Sequence, residues 1–346
     1  MRCMRVGLWR GIGCCATLWM AAAGCLAQST DSELRKRLDG IVAAHHGKVA
    51  LHAIQLNTGR TVGIDPDTPV QTASDIKLAI LYEAMVEVRE GKAHWDEKIV
   101  LKPGEAVGGS GMLHFFDPPM TLTLKDVLTF MVIVSDNTAT NLAIDRFGVD
   151  AVNARMESLG LMNTHLYKKV FKPATGPMPV DQPKFGLGKT TPREMATLMG
   201  GIGGCVLREK HSGRPSKLGF PFSFEPMDEQ DKAVCDVALG MLKDQFYRET
   251  IPRYLQNGGD QTVASKTGSL NAVRNDVAIV GGKSGPIVLS IFTYDNADTS
   301  WTVDNEGELT IAKLAKAIVE TWSPDGLDSK VLVPGLGLDK AQPAAK

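Results

Sequence analysis

Strand-like segments lie at both ends of this 346-residue chain and helical ones in between, which leaves few ways to fold it. Near the start, 48–56 and 61–64 are rich in aliphatic and β-branched residues and flank Asn57-Thr58-Gly59-Arg60, a hairpin signal. Late in the chain, 262–265, 276–280 and 287–294 have the same character between Gly- and Asn-containing turns. Between these groups apolar residues recur at helical spacing and predict helices at 75–90, 123–134, 138–147, 150–159, 191–202 and 229–245. Residues 31–44 and 309–322 add one amphipathic helix at each end. Strands this far apart in sequence bury their apolar faces by pairing with one another. An α+β fold follows, with one antiparallel sheet from both chain ends, flanked by the terminal helices and packed against a mainly helical region at about 70–255. One catalytic domain over 28–325 is expected, with an insertion at 206–227 and a mobile tail at 326–346.

The first residues read as a transport signal. Arg2, Arg5 and Arg10 precede an uncharged, largely apolar run from Gly11 to Ala23, and Cys25-Leu26-Ala27 supplies small residues before Gln28. A signal peptide at 1–27 predicts a secreted or periplasmic protein, with no transmembrane span left in the mature chain. Ala22-Ala23-Gly24-Cys25 also resembles a lipoprotein signal, which makes Cys25 a candidate for lipidation. Export leaves Cys205 and Cys235, and two readings stay open for them: a disulfide in an oxidising compartment, or two separate buried thiols. A net charge of -1, from 38 basic and 39 acidic residues, gives no electrostatic basis for binding nucleic acid. A small-molecule or cell-wall substrate fits better, and a monomer is expected. The adjacent His45 and His46 lack the clustered ligands of a metal centre, so neither metal nor other cofactor is expected.

Three short motifs carry chemistry. In Ser74-Asp75-Ile76-Lys77 the serine stands where a helix is predicted to begin, and its plain role would be an N-cap. Lys77 argues for more, because a cation in the first turn opposes the helix dipole. One turn from Ser74 and partly buried, its amine would be shifted toward a usable base. The same helix start would offer N–H groups to an oxyanion. Ser135-Asp136-Asn137 falls between two apolar helices, where Asp136 would cap the second. Lys266-Thr267-Gly268-Ser269 falls on a strand, and Gly268 lacks the side chain that would block a ligand lying along it.

Together these motifs resemble those of class A β-lactamases and penicillin-binding proteins. Similar too are Leu128 to Asn141, Thr190-Thr191-Pro192-Arg193 and Arg274-Asn275-Asp276. The resemblance implies that Ser74 is the acylated nucleophile, Lys77 its base, and Ser135 the hydroxyl that passes a proton to the leaving nitrogen. It implies that Asn137 binds an acyl side-chain amide, that Lys266 and Thr267 hold a substrate carboxylate, and that the N–H groups of Ser74 and Ser269 form the oxyanion hole. Arg274 would be a second carboxylate anchor. The expected substrate is a β-lactam or a D-Ala-type peptide. One departure stands out: class A enzymes carry a Glu-x-x-Leu-Asn loop whose glutamate activates the deacylating water, and no such motif is present. Between Gly160 and Thr191 the only carboxylate is Asp181, the candidate deacylation base. Three readings follow: a β-lactamase-like hydrolase, favoured; a penicillin-binding or D,D-peptidase-like protein or esterase with slow β-lactam deacylation; and a non-catalytic binding module.

Overall fold

The two chain ends meet in one sheet. In the computed structural model, which describes residues 31–210, 216, 218–220, 223–255 and 261–340, the sheet comprises β1 (Lys48–Gln55), β2 (Arg60–Ile64), β3 (Val263–Leu270), β4 (Val273–Gly282) and β5 (Gly285–Tyr294). The expected signal at 1–27 and Cys25 lie outside the described residues. Spatial order is β3-β4-β5-β1-β2, every neighbour antiparallel, and β1 registers on β5 from Lys48↔Tyr294 to Gln55↔Ile287. This pairing closes the chain across more than two hundred residues.

The helices, in chain order, are α1 (31–43), α2 (Lys77–Arg89), α3 (Leu124–Ile133), α4 (Asn137–Phe147), α5 (Val149–Ser158), α6 (Gln182–Phe185), α7 (Pro192–Gly203), α8 (Glu229–Lys243) and α9 (Glu306–Trp322). Strand alternation sorts the sheet residues between two layers. Val49, Leu51, Ala278, Leu289 and Ile291 pack with Leu34 and Leu38 of α1 and Ile311, Leu314 and Ile318 of α9. Ala50, Val277, Ile279, Val288 and Phe292 face the larger helical cluster instead. Each Val, Leu, Ile or Phe among them, once buried, contributes about 1.5–3 kcal/mol of transfer free energy. Helix starts are set by side-chain caps. Thr123 and Asp228 form capping boxes with Asp126 and Asp231, Asp136 accepts from the Ala139 N–H, and Thr191 accepts from Glu194 just ahead of Pro192. In helix α2 every residue from Lys77 to Val86 is buried, so it is a central post of the helical layer rather than an amphipathic surface helix.

Three expectations change. The C-terminal segment is not a mobile tail through residue 340: Leu332 and Leu336 are buried, the Asp328 N–H donates to the Gly281 carbonyl at 2.8 Å, and Leu327 bridges Gly282. Strands β3 and β4 are longer than predicted, carrying the Lys266 motif and Arg274 inside the sheet. The segment between α7 and α8 includes a short hairpin, Glu209–Lys210 against Ser223–Phe224, and buries Leu207, Leu218 and Phe220. Cys205 and Cys235 form a disulfide, Cα–Cα 5.7 Å, which ties the end of α7 to α8 and settles the alternative left open by the sequence.

Candidate active site

Ser74 is not a helix cap. It lies within a 3-10 turn, Ala73–Ile76, and α2 starts only at Lys77. Ala73 has φ +44°, a left-handed conformation that a non-glycine residue adopts at a cost. Ser74 itself is partly exposed, while Ala73, Asp75, Ile76 and Lys77 around it are buried. The turn therefore projects one hydroxyl from an otherwise buried platform.

Lys77 reaches the second motif. Its Nζ donates to the Ser135 carbonyl at 2.6 Å, to Ser135 Oγ at 3.0 Å and to Asn137 Oδ1 at 3.3 Å. Lys266, arriving from β3, donates to the same Ser135 Oγ at 3.0 Å and to the Thr267 carbonyl at 2.7 Å. One hydroxyl is thus shared by two buried lysine nitrogens, on a serine with φ +53°. Burial, then the Lys266 charge, holds the Lys77 amine well below its ordinary range; burial brings Lys266 down to about 8, opposed by Asp75 and Asp276. Asp136 has the predicted capping role and a second one, since its Oδ2 accepts the N–H groups of Met112 at 2.6 Å and Leu113 at 2.8 Å. Gly111, φ +103°, is required there: a Cβ would lie 2.2 Å from that carboxylate oxygen. Asn137 Nδ2 donates to the Gly108 carbonyl at 3.1 Å, which fixes its amide at the cleft.

The third motif lies on the edge strand. A two-residue turn joins β3 to β4, with Leu270↔Val273 as the closing pair, so Ser269↔Arg274 is a non-hydrogen-bonded pair. The Ser269 N–H therefore points to the open edge, on the same side as the Thr267 carbonyl that Lys266 engages. Gly268 is needed for a different reason from the one its sequence suggested. A Cβ there would come within 2.7 Å of the Thr72 carbonyl and 2.9 Å of Asp75 Oδ1, so the strand lies directly on the nucleophile's turn.

Two expected site residues are elsewhere. Arg274 alternates to the sheet face opposite Lys266 and Gly268, where it is 1% exposed. Its guanidinium donates to Glu308 at 3.1 Å, to the Val273 carbonyl at 2.9 Å and to the carbonyls of Leu270 and Ser300, and it lies over the Trp301 ring at 4.6 Å. These bonds give Arg274 a structural ion pair with Glu308 on the face away from Lys266. Asp181 is held by Lys189 at 2.8 Å and Tyr167 at 3.1 Å, and the Lys189 bond holds its carboxyl below the usual range.

Sequence reading missed a clamp on the loop that follows α5. Asn141 on α4 grips the backbone of Val170 from both sides, accepting its N–H at 2.7 Å and donating to its carbonyl at 3.0 Å. The clamped residue, Val170, is apolar and buried. Next to it Phe171, 72% exposed, lies 3.0 Å from where a Cβ on Gly109 would stand, beside the Asn137 amide. Asp75 was missed too, although it adjoins Ser74, because burial of an acid is invisible in a sequence.

The sequence profile of the beta-lactamase enzyme family matches residues 33–215 and 229–322. A beta-lactamase regulatory protein, BlaB, from Streptomyces cacaoi is 32% identical over 116 residues, 33% of this chain and 36% of that protein, so the chain spans about a third of that relative's length. Among solved structures, a beta-lactamase from Sphaerobacter thermophilus superposes with a TM-score of 0.67 at 26% identity over 85% of this chain and 97% of the other. PBP-A superposes with a TM-score of 0.65 at 23% identity over 84% and 96%. The second of these likenesses speaks to the fold.

Proposed function

Because the chain belongs to the beta-lactamase enzyme family, we propose that it is an exported serine hydrolase that forms an acyl-enzyme on Ser74 with β-lactams or D-Ala-type peptides and releases the acyl group slowly. The observation that carries the first half is the Ser135 hydroxyl held 3.0 Å from both Lys77 and Lys266 nitrogens. Burial and the Lys266 charge hold the Lys77 amine well below its ordinary range, which favours its taking the Ser74 proton as Oγ attacks the carbonyl. The developing oxyanion takes hydrogen bonds from the Ser74 and Ser269 N–H groups. Ser135 relays the proton from Lys77 to the leaving nitrogen. Lys266 and Thr267 hold the substrate carboxylate, and Asn137 the acyl amide; Gly268 gives the strand its close approach to the Ser74 turn. Burial of the Cys205–Cys235 disulfide supports an oxidising compartment, and with it export.

Slow release rests on Val170. The loop position that Asn141 clamps holds no carboxylate, and Asp181 is committed to Lys189 and Tyr167. This favours penicillin-binding behaviour over efficient β-lactam hydrolysis. Intact-mass spectrometry after mixing with benzylpenicillin tests both halves. The expected result is a stoichiometric adduct, lasting many minutes, that maps to Ser74 and is absent from Ser74→Ala. No adduct on the parent protein with either β-lactams or activated esters refutes the acyl-enzyme, and a fleeting adduct with fast linear turnover refutes slow release.

A further inference from the structure

Asp75, the residue after the nucleophile, is fully buried, and neither of its carboxyl oxygens has a hydrogen-bond partner among the described residues. A buried carboxylate without donors is costly, and native structures rarely leave one. Across the motif, Asn275 Oδ1 is likewise buried and without a donor, although its Nδ2 donates to the carbonyls of Gln71 at 2.9 Å and Thr72 at 3.3 Å. The two orphans face one place. Asn275 is the cross-strand partner of Gly268, and Asp75 Oδ1 lies 2.9 Å from where a Cβ on Gly268 would stand, next to the same Thr72 carbonyl that Asn275 engages. One proton on the Asp75 carboxyl would make it the donor that the Asn275 acceptor lacks.

We infer that Asp75 is a carboxylic acid at neutral pH and donates that proton to Asn275 Oδ1, latching the nucleophile's turn onto the strand that supplies Lys266 and Ser269. The groups facing Asp75 are Lys77 from α2, Lys266 from β3 and Asp276 from β4. Burial is the largest influence and raises the Asp75 carboxyl well above its ordinary range, with Asp276 adding to it and the two lysines opposing. The latch has a consequence for the base. An ionised Asp75 would stabilise the ammonium form of Lys77; a neutral one leaves Lys77 to the repulsion of Lys266 and ready to accept a proton. Asp75 is on this account a positioning residue for the reaction proposed above, and its protonation can be read without any substrate.

The test is difference infrared spectroscopy at pH 7 between the parent protein and Asp75→Asn, read at the carbonyl stretch of protonated carboxyl groups. A band present in the parent and missing from the variant is expected. No difference in that region overturns the inference, whatever the enzyme turns out to hydrolyse. If Asp75→Asn does not fold, Asn275→Ala leaves the acid in place and must shift the same band; an unmoved band overturns the latch. In acylation by an activated ester, Asp75→Leu, which strands the Asn275 acceptor, should lose about tenfold in rate, and Asp75→Asn, which restores a donor, should recover most of it. Equal losses in the two variants would assign the residue's role to charge and overturn the shared proton.

Discussion

Arg274→Ala separates what the sequence motif suggested from what the fold does with the residue. The side chain is 1% exposed and pairs with Glu308, itself 17% exposed. Its removal strands that carboxylate, takes one donor from each of the carbonyls of Leu270, Val273 and Ser300, and uncovers the Trp301 face. Removing one partner of a buried ion pair costs about 3–5 kcal/mol, and the lost cation–π contact is worth roughly 0.5–2 kcal/mol within or beyond it. At about 2–4 °C per kcal/mol for a domain somewhat smaller than this one, the melting temperature should fall by roughly 10 °C. Calorimetry measures that loss, and acylation of a carboxylated β-lactam against a neutral activated ester, both at a temperature where the variant is folded, measures the role in binding. The expected outcome is a large drop in Tm with similar rate changes for the two substrates. A selective loss of more than tenfold for the carboxylated substrate, with Tm unchanged, would refute the reasoning and return Arg274 to the site.

Three further outcomes follow from the same geometry. Val170→Glu keeps the backbone clamp of Asn141 and puts a carboxylate at the clamped loop position, so on the proposed function the burst and slow steady state expected of the parent with a chromogenic cephalosporin should give way to deacylation faster by about 10²–10⁴, the usual contribution of a general base; an unchanged adduct lifetime in a folded variant counts against the loop assignment. Lys266, brought to about 8 by burial, loses its charge above that pH, so acylation by carboxylated substrates should decline there while neutral esters do not; in stability its sign is reversed, since between about 8 and the ordinary 10.5 the unfolded chain binds the proton more tightly and folding gains as pH rises. Parallel profiles for both substrates would remove Lys266 from carboxylate binding. Replacing Cys205 and Cys235 with Ala opens a loop with a sequence separation of 30, worth about 3.6 kcal/mol by chain entropy, and should lower Tm without altering the Ser74 adduct; an unchanged Tm would show that the cross-link adds nothing.

Periodicity is local, so the sequence by itself determined the main helices and the segments that supply the five-stranded sheet, and with them the meeting of the two chain ends in one sheet. It also determined the three motifs, because the chemistry of a nucleophile, a base and an anion holder needs particular side chains at short, recognisable spacings. Asp136 as the cap of α4 was legible for the same reason. What tertiary structure decided is which face and which neighbour each residue receives. Arg274 follows Lys266 by eight residues and shares its parity, yet the two-residue turn between β3 and β4 sends it to the opposite face, since crossing a hairpin resets the alternation. Val170 gains its place from Asn141, twenty-nine residues earlier, through two backbone hydrogen bonds that no pattern announces. Residues 327–340 have no strand or helix period, and tertiary contacts order them, the docking of Leu332 and Leu336 into the core and the bonds of Leu327 and Asp328 to β4. Asp75 looks like one more surface acid in the chain; burial under Gly268, which depends on strand and turn coming together from almost two hundred residues apart, is what changes its chemistry.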